Sequence, residues 1–437
     1  MENEVKEVAE VEEKHSNHHH HSHHHHHHHK SSKKKRFSLR RFAKKHKTAL
    51  RLTAMAVAMV LVIVATVITV KQLDAGSKGG TPTVNPPTPT TPQIPEGHVA
   101  LTVTRFDLPV RLHHEAVSTY LTASVSIPAR EILGEYKDAG IRLDQGEPMV
   151  LSYDVMGLAE GCNITGFRVE VTEKGQKKPV FRKDCGAGEQ SIRLYNLKTG
   201  ATYQYTIRVD FNAMDSITVA GEFETAIGPR LLFVDGVVNV RDFGGWKTAD
   251  GKVIEQGLLY RGGELDGAFE ETFSITDAGL RTMLDEFGIR TEIDLREKRS
   301  EADRLGDTVN SPDPYNAPLF DDAFTTSGKK ALGEVFKDLA NPDNYPIYIH
   351  CTYGRDRTGT VCLLLGAFLG MDETDLIREY GLSALYYGGA DYANAYKVLD
   401  GLKAYEGDSL AQQAENYLRD ISLTQEEIDA LRQIYLG

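Results

Sequence analysis

Apolar positions change their rhythm several times along this chain. Over residues 52–70 they are continuous, 19 residues without a charge. That is close to the ~20 apolar residues a helix needs to cross a bilayer. From about 98 to 227 the rhythm becomes period two, in short runs separated by turn residues: Ala100-Leu101-Thr102-Val103-Thr104, Met149-Val150-Leu151-Ser152-Tyr153, Gly166-Phe167-Arg168-Val169-Glu170-Val171, Thr202-Tyr203-Gln204-Tyr205-Thr206-Ile207-Arg208-Val209 and Glu222-Phe223-Glu224-Thr225. Such alternation predicts strands with one buried face, here an all-β sandwich. Beyond 228 strand and helix patterns alternate. Leu280, Met283, Leu284 and Phe287 fall at helical spacing, with Thr276 placed to cap and Gly288 to stop a helix over 276–287. Residues 289–295 and 346–349 read as strands. Residues 360–369 are almost wholly apolar, and 373–380, 411–419 and 424–435 read as further helices. The pattern predicts an α/β part with a mostly parallel central sheet flanked by helices, preceded by the sandwich and a single transmembrane helix.

Charge placement sharpens the N-terminal part. Residues 30–51 hold 11 Lys and Arg and no acid, directly before the apolar span. A positive flank of this kind stays in the cytoplasm, so the expectation is an uncleaved signal-anchor. The C-terminal half then lies outside the cell. Further upstream stands a tract with 12 His between His15 and His29, a low-complexity segment that can chelate divalent metal ions loosely. Residues 71–97 hold six Pro among Thr, Gly and Ser and should form an extended spacer. The expected organisation is therefore a disordered cytoplasmic tail (1–51), a membrane helix (52–70), a linker (71–97), a β-sandwich (98–227) and an α/β domain (228–437). Residues 1–74 carry an excess of positive charge within a chain of net charge −12. The remainder is strongly acidic, which argues against nucleic acid as a partner. Of the four Cys, Cys162 and Cys185 lie beside turn signals in the sandwich and can pair in an oxidising compartment. Cys362 reads as a small core residue.

The chemistry concentrates in His350-Cys351-Thr352-Tyr353-Gly354-Arg355-Asp356-Arg357-Thr358-Gly359. A short apolar strand precedes this run and an apolar helix follows it. Backbone N–H groups of the loop and the helix N-terminus would converge on one point and form an anion site. The same field favours the thiolate of Cys351. Arg357 offers a planar fork to two phosphate oxygens.

This run resembles the phosphate-binding loop of the cysteine-dependent phosphatases, the protein tyrosine and dual-specificity superfamily. Asn239-Val240-Arg241-Asp242-Phe243-Gly244-Gly245-Trp246, Tyr260-Arg261-Gly262-Gly263-Glu264-Leu265, Ile293-Asp294-Leu295-Arg296 and the C-terminal helix narrow the likeness to the bacterial tyrosine/lipid phosphatase family, over roughly residues 228–437. In the sandwich, Leu194 to Tyr205 resembles the fibronectin type III segment that ends in a tyrosine corner. The resemblance implies hydrolysis of phosphomonoesters, on phosphorylated protein or lipid, through a phosphocysteine on Cys351. Arg357 and the loop N–H groups of Thr352, Tyr353, Gly354 and Arg355 would hold the phosphate oxygens. Thr358 would donate to the sulfur, and His350 would orient the loop. The mechanism calls for no metal or other cofactor. An Asp at the place of Asp356 serves as general acid in the resembling family; Asp321 and Asp322, on a separate loop, are rivals by position. Asp294, at a strand end, is placed to fix the Arg357 guanidinium. Arg241 and Asp242 read as structural, with a role at the site rim. Arg355 adds a second positive charge, suited to substrates with more than one phosphate. Phosphotyrosine and phosphoinositides are the first substrate expectation. An inositol-polyphosphate scavenger of the phytase type and a non-catalytic binder of phosphorylated ligands are the alternatives.

Overall fold

The computed structural model describes residues 98–437 apart from 128–130, 133–135, 137–140, 269–270, 299–304 and 388–389. The His tract, the basic block, the apolar span 52–70 and the spacer lie outside the described residues. Among the described residues no helix is long and apolar enough to cross a membrane.

The first part comprises β1 (Ala100–Val103), α1 (Glu115–Thr122), β2 (Met149–Met156), β3 (Ile164–Glu173), β4 (Phe181–Gly186), β5 (Ser191–Leu194), β6 (Thr202–Phe211) and β7 (Ile217–Glu224). Its strands form two antiparallel sheets, ordered β1-β2-β5 and β4-β3-β6-β7. The alternation explains both. In β6, Tyr203, Tyr205, Ile207 and Val209 turn inward while Gln204, Thr206 and Arg208 face solvent. Leu151 and Tyr153 from one sheet and Val169 and Ile207 from the other share one core. The Tyr203 hydroxyl accepts the Lys198 N–H at 2.8 Å and ties the turn before β6 to the sheet.

Cys162 and Cys185 are both free, which corrects the expected disulfide. Cys185 is buried on β4 opposite Phe167, and its thiol lies beside the Tyr153 hydroxyl. Cys162 sits in the β2–β3 loop, outside that core.

The second part comprises β8 (Arg241–Asp242), β9 (Leu259–Gly262), α2 (Asp277–Arg281), β10 (Thr291–Asp294), α3 (Thr326–Ala340), β11 (Ile347–His350), α4 (Asp356–Leu369), α5 (Glu373–Gly381), α6 (Ala384–Tyr387), α7 (Tyr392–Leu402), α8 (Leu410–Asp420) and α9 (Gln425–Leu436). The sheet order is β10-β11-β9-β8; the first three strands are parallel and β8 is antiparallel. β11 is central and buried at every position, as its apolar run requires. It leads through a short loop into α4, whose residues from Thr358 to Leu369 are all buried. Gly370 ends that helix at a φ of 88°. α2 starts on Thr276, whose hydroxyl accepts the Gly279 N–H, and the 276–287 helical stretch continues as a wider turn over Thr282–Glu286.

The two parts lie in one compact unit. Arg230 joins them: it donates to the Asp242 carboxylate and to the carbonyls of Asn196 and Leu197. The segment between β1 and β2 does not simply extend the sandwich. Ala116, Val117, Tyr120 and Leu143 pack into the core of the α/β part, and the Tyr120 hydroxyl donates to the Arg378 carbonyl.

Candidate active site

The site forms where β11 ends. Cys351 is the first residue past the strand and Asp356 the first of α4, so five residues, 351–355, carry the chain from sheet to helix. Each of the next three residues has its carbonyl taken from behind. Thr352 O accepts the Glu264 N–H at 3.0 Å. Tyr353 O accepts Asn239 Nδ2 at 3.0 Å. Gly354 O accepts Arg261 Nη2 at 2.7 Å and Asn239 Nδ2 at 3.3 Å. Carbonyls turned outward leave the N–H groups turned toward the loop centre. Among the described residues no acceptor takes the N–H groups of Thr352, Gly354 or Arg355. The arrangement is an anion cradle. Gly354 is required within it: its φ is +63°, and an added Cβ would stand 2.1 Å from the Gly262 carbonyl oxygen.

Cys351 lies at the base, 4% exposed. The Thr358 hydroxyl is buried and, among the described residues, has no partner, so its bond to the Cys351 sulfur is not formed here. An orphan hydroxyl one turn into α4 is what a bound oxyanion or a thiolate would satisfy. Arg357 donates through Nε to the Ala317 carbonyl at 3.1 Å, which leaves both Nη groups without a protein acceptor among the described residues. Its side chain borders a cleft of about 570 Å³ whose walls include Tyr315, Asn316, Asp322 and Lys330.

Behind Cys351, His350 is fully buried. Its Nε2 meets Glu292 Oε1 at 2.9 Å, and its Nδ1 lies 3.3 Å from the Cys351 carbonyl. Burial alone lowers its pKa, but the Asp294 and Glu292 carboxylates outweigh burial and hold it above the usual value of 6.5.

Several expected roles move. Asp294 does not reach Arg357; Arg296 occupies its carboxylate at 2.8–3.1 Å and also bridges to Glu264 and Asp266. Asp242 is not at the rim. Both of its oxygens are used by Arg230 and the N–H groups of Gly244 and Gly257, at the junction with the sandwich. Arg241 lies beneath the loop. It donates to Glu379 Oε1 at 2.8 Å and to Asn239 Oδ1 at 2.7 Å, while Arg261 donates to Glu379 Oε2 at 2.7 Å.

Of the acid candidates, Asp356 receives Arg355 through two bonds of 3.0 Å, and Arg355 also lies over the Tyr353 ring. Asp321 turns away to Lys397 and is mostly exposed. Asp322 shares the cleft with Arg357. The sequence reading gave no role to Asn239, Arg261 or Glu379. The last carried a signal: a carboxylate beside Leu376, Ile377 and Tyr380 on the buried face of α5 needs a buried cation. Cys362 is enclosed in α4, and burial pushes its thiol up to about 12, the behaviour of an inert core cysteine.

Residues 232–437 match the family described as the tyrosine phosphatase family. A Cupriavidus necator protein described as a tyrosine-protein phosphatase is 29% identical over 181 residues, 35% of this chain and 63% of that protein. A tyrosine-protein phosphatase of Nostoc commune is 25% identical over 206 residues, 36% of this chain and 69% of that protein. This chain thus spans less than two thirds of the Cupriavidus relative's length. A solved structure of the core catalytic domain of the PP-IP phosphatase SIW14 of S. cerevisiae aligns with 38% of this chain and 93% of its own, at 16% identity and a TM-score of 0.27. The family match and the curated relatives support a phosphatase hydrolase.

Proposed function

We propose that residues 228–437 hydrolyse phosphomonoesters, phosphotyrosine or phosphoinositide, through a phosphocysteine on Cys351. The observation that carries the reading is the loop itself. Its carbonyls are pinned outward, a buried cysteine opens it, and an orphan Thr358 hydroxyl and the Arg357 guanidinium follow on the first turn of α4.

The Cys351 thiolate attacks phosphorus and the ester P–O bond breaks. The leaving oxygen takes its proton from a carboxylic acid. The loop N–H groups and Arg357 hold the equatorial oxygens as charge develops. Thr358 donates to the sulfur when water later releases phosphate and the thiolate departs. Asp356 is our choice of acid. A phosphate entering the loop competes for Arg355 and frees the Asp356 carboxylate to face the leaving oxygen. His350, Arg241 and the loop residues Thr352, Tyr353 and Gly354 position the cradle. Arg355 adds charge for a second phosphate.

The sequence further supports a chain anchored by residues 52–70, with the basic block inside the cell and the catalytic part outside. The sandwich serves as a spacer of fibronectin type III likeness. Protease added to intact cells should release the activity from the 71–97 spacer; protection of the catalytic half would refute this orientation.

The test of activity is phosphate release by the full chain from phosphotyrosyl peptide, phosphoseryl peptide, phosphoinositide and phytate. Turnover of the first or third, lost in Cys351→Ser, supports the reading. Phytate as the sole substrate would favour the scavenger, and no turnover of any would refute the reading.

A further inference from the structure

The segment between β1 and β2 lies outside the matched residues 232–437, yet one of its side chains reaches the support of the phosphate loop. Asp144 is 2% exposed. Its Oδ2 accepts the backbone N–H of Asn239 at 2.8 Å. Arg142 clamps the same carboxylate through Nε at 2.7 Å and Nη2 at 2.9 Å.

Asn239 is a three-way junction. Its Nδ2 donates to the carbonyls of Tyr353 and Gly354, and its Oδ1 accepts Arg241. Its own backbone is left-handed, with φ at 57°, a conformation uncommon for a residue with a side chain and one that Asn tolerates better than most. Asp144 supplies the bond to that residue's N–H. A second path leaves from the same place: the Arg142 guanidinium lies 4.7 Å over the Tyr386 ring, Tyr386 meets Phe273 at 5.7 Å, and Phe273 meets Tyr353 at 6.1 Å.

We propose that Asp144 is a positioning residue for the phosphate loop: by fixing Asn239 it keeps the Tyr353 and Gly354 carbonyls turned away from the bound phosphate. The inference rests on the phosphatase reading for its kinetic consequence, but not for its effect on anion binding. If the Asn239 N–H loses its acceptor inside the protein, the left-handed backbone relaxes and Nδ2 withdraws. A loop peptide is then free to turn an oxygen toward the phosphate, where it repels charge instead of donating to it. The active site would then depend on a residue about two hundred positions upstream of Cys351, delivered by a segment that leaves the sandwich to dock on the α/β part.

The test uses full-chain Asp144→Ala, Asp144→Asn and Arg142→Gln, with Val169→Ala in the sandwich core as a control for lost stability alone. Two quantities are read: kcat and KM on an aryl phosphate, and the affinity for inorganic phosphate by titration calorimetry. Asp144→Ala should lower kcat/KM by about ten- to a hundredfold, the range set by one unsatisfied buried donor, and weaken phosphate binding in step. Asp144→Asn keeps an oxygen for the Asn239 N–H and should recover most of both. Arg142→Gln should show a smaller loss in the same direction; if Asp144→Ala fails to fold, Asp144→Asn and Arg142→Gln still give the reading. Val169→Ala should lose stability with kcat/KM unchanged.

Unchanged kcat/KM and phosphate affinity in Asp144→Ala would overturn the proposal, as would an equal loss in Val169→Ala. Where Asp144→Ala does not fold, unchanged values in Arg142→Gln would overturn it. If the parent chain hydrolyses nothing, the phosphatase reading fails. The calorimetric comparison then decides the positioning role by itself.

Discussion

Replacing Glu379 by Ala would leave two arginines buried without their counter-charge. Arg241 and Arg261 are 1% and 0% exposed, and each sends its guanidinium to one oxygen of Glu379, at 2.8 and 2.7 Å. Breaking a buried pair by removing one partner costs about 3–5 kcal/mol, because the survivor stays charged and dry. For a unit of this size about 1 kcal/mol moves the midpoint by about 2 °C, so Glu379→Ala should unfold about 6–10 °C lower by calorimetry. Glu379→Gln, which keeps an acceptor but no charge, should fall between.

The pH dependence follows from the same contacts. Burial alone raises the Glu379 pKa, but Arg241 and Arg261 outweigh it and hold the carboxyl below its usual 4.5. A depressed folded value gives stability that is present above about pH 4.5 and lost as pH falls through the folded value. The gap between parent and Glu379→Ala should therefore be widest near neutrality and close in acid. Because Arg261 also holds the Gly354 carbonyl, kcat/KM should fall as well. A midpoint within about 2 °C of the parent at neutral pH would refute the reasoning.

Asp356→Asn should cost about 10²–10⁴ in turnover of phosphotyrosine and far less on an aryl phosphate whose leaving group needs no proton; the same leaving-group dependence in Asp322→Asn instead would move the acid to the separate loop. His350 has a raised pKa, so its contribution is fully present below about pH 6.5 and lost as pH rises through the folded value. His350→Gln should flatten the decline of thermal stability on the alkaline side, and an unchanged slope in calorimetric scans across that range would refute this. A thiol reagent should label Cys162 in the native protein and Cys185 only after unfolding; recovery of the two as one disulfide-linked peptide would contradict the structure.

The loop was legible because its chemistry is local. The strand, the five residues between Cys351 and Arg357, and the apolar helix occupy one continuous stretch, and each signals itself by pattern. The alternating runs marked the sandwich strands for the same reason. What sequence did not show is where side chains from distant stretches meet. Asp294 sits at a strand end near the loop, yet Arg296, two residues away, captures it before Arg357 can. Asp242 follows Arg241 directly, but successive strand residues face opposite ways, so one supports the loop and the other the domain junction. α3 and α7 were missed: polar and small residues, including Ser327, Gly328, Asn394 and Gly401, blur their apolar faces. The segment between β1 and β2 gives no sign in sequence that it leaves the sandwich, because its partners, Asn239 and Arg378, lie far away along the chain.

The central claim is that Cys351 carries the phosphate. Rapid denaturation during turnover of a ³²P-labelled aryl phosphate, followed by peptide mapping, tests it most directly. The account predicts label on the peptide containing Cys351, absent in Cys351→Ser. Sustained turnover with no labelled protein, or label on any other residue, would contradict it.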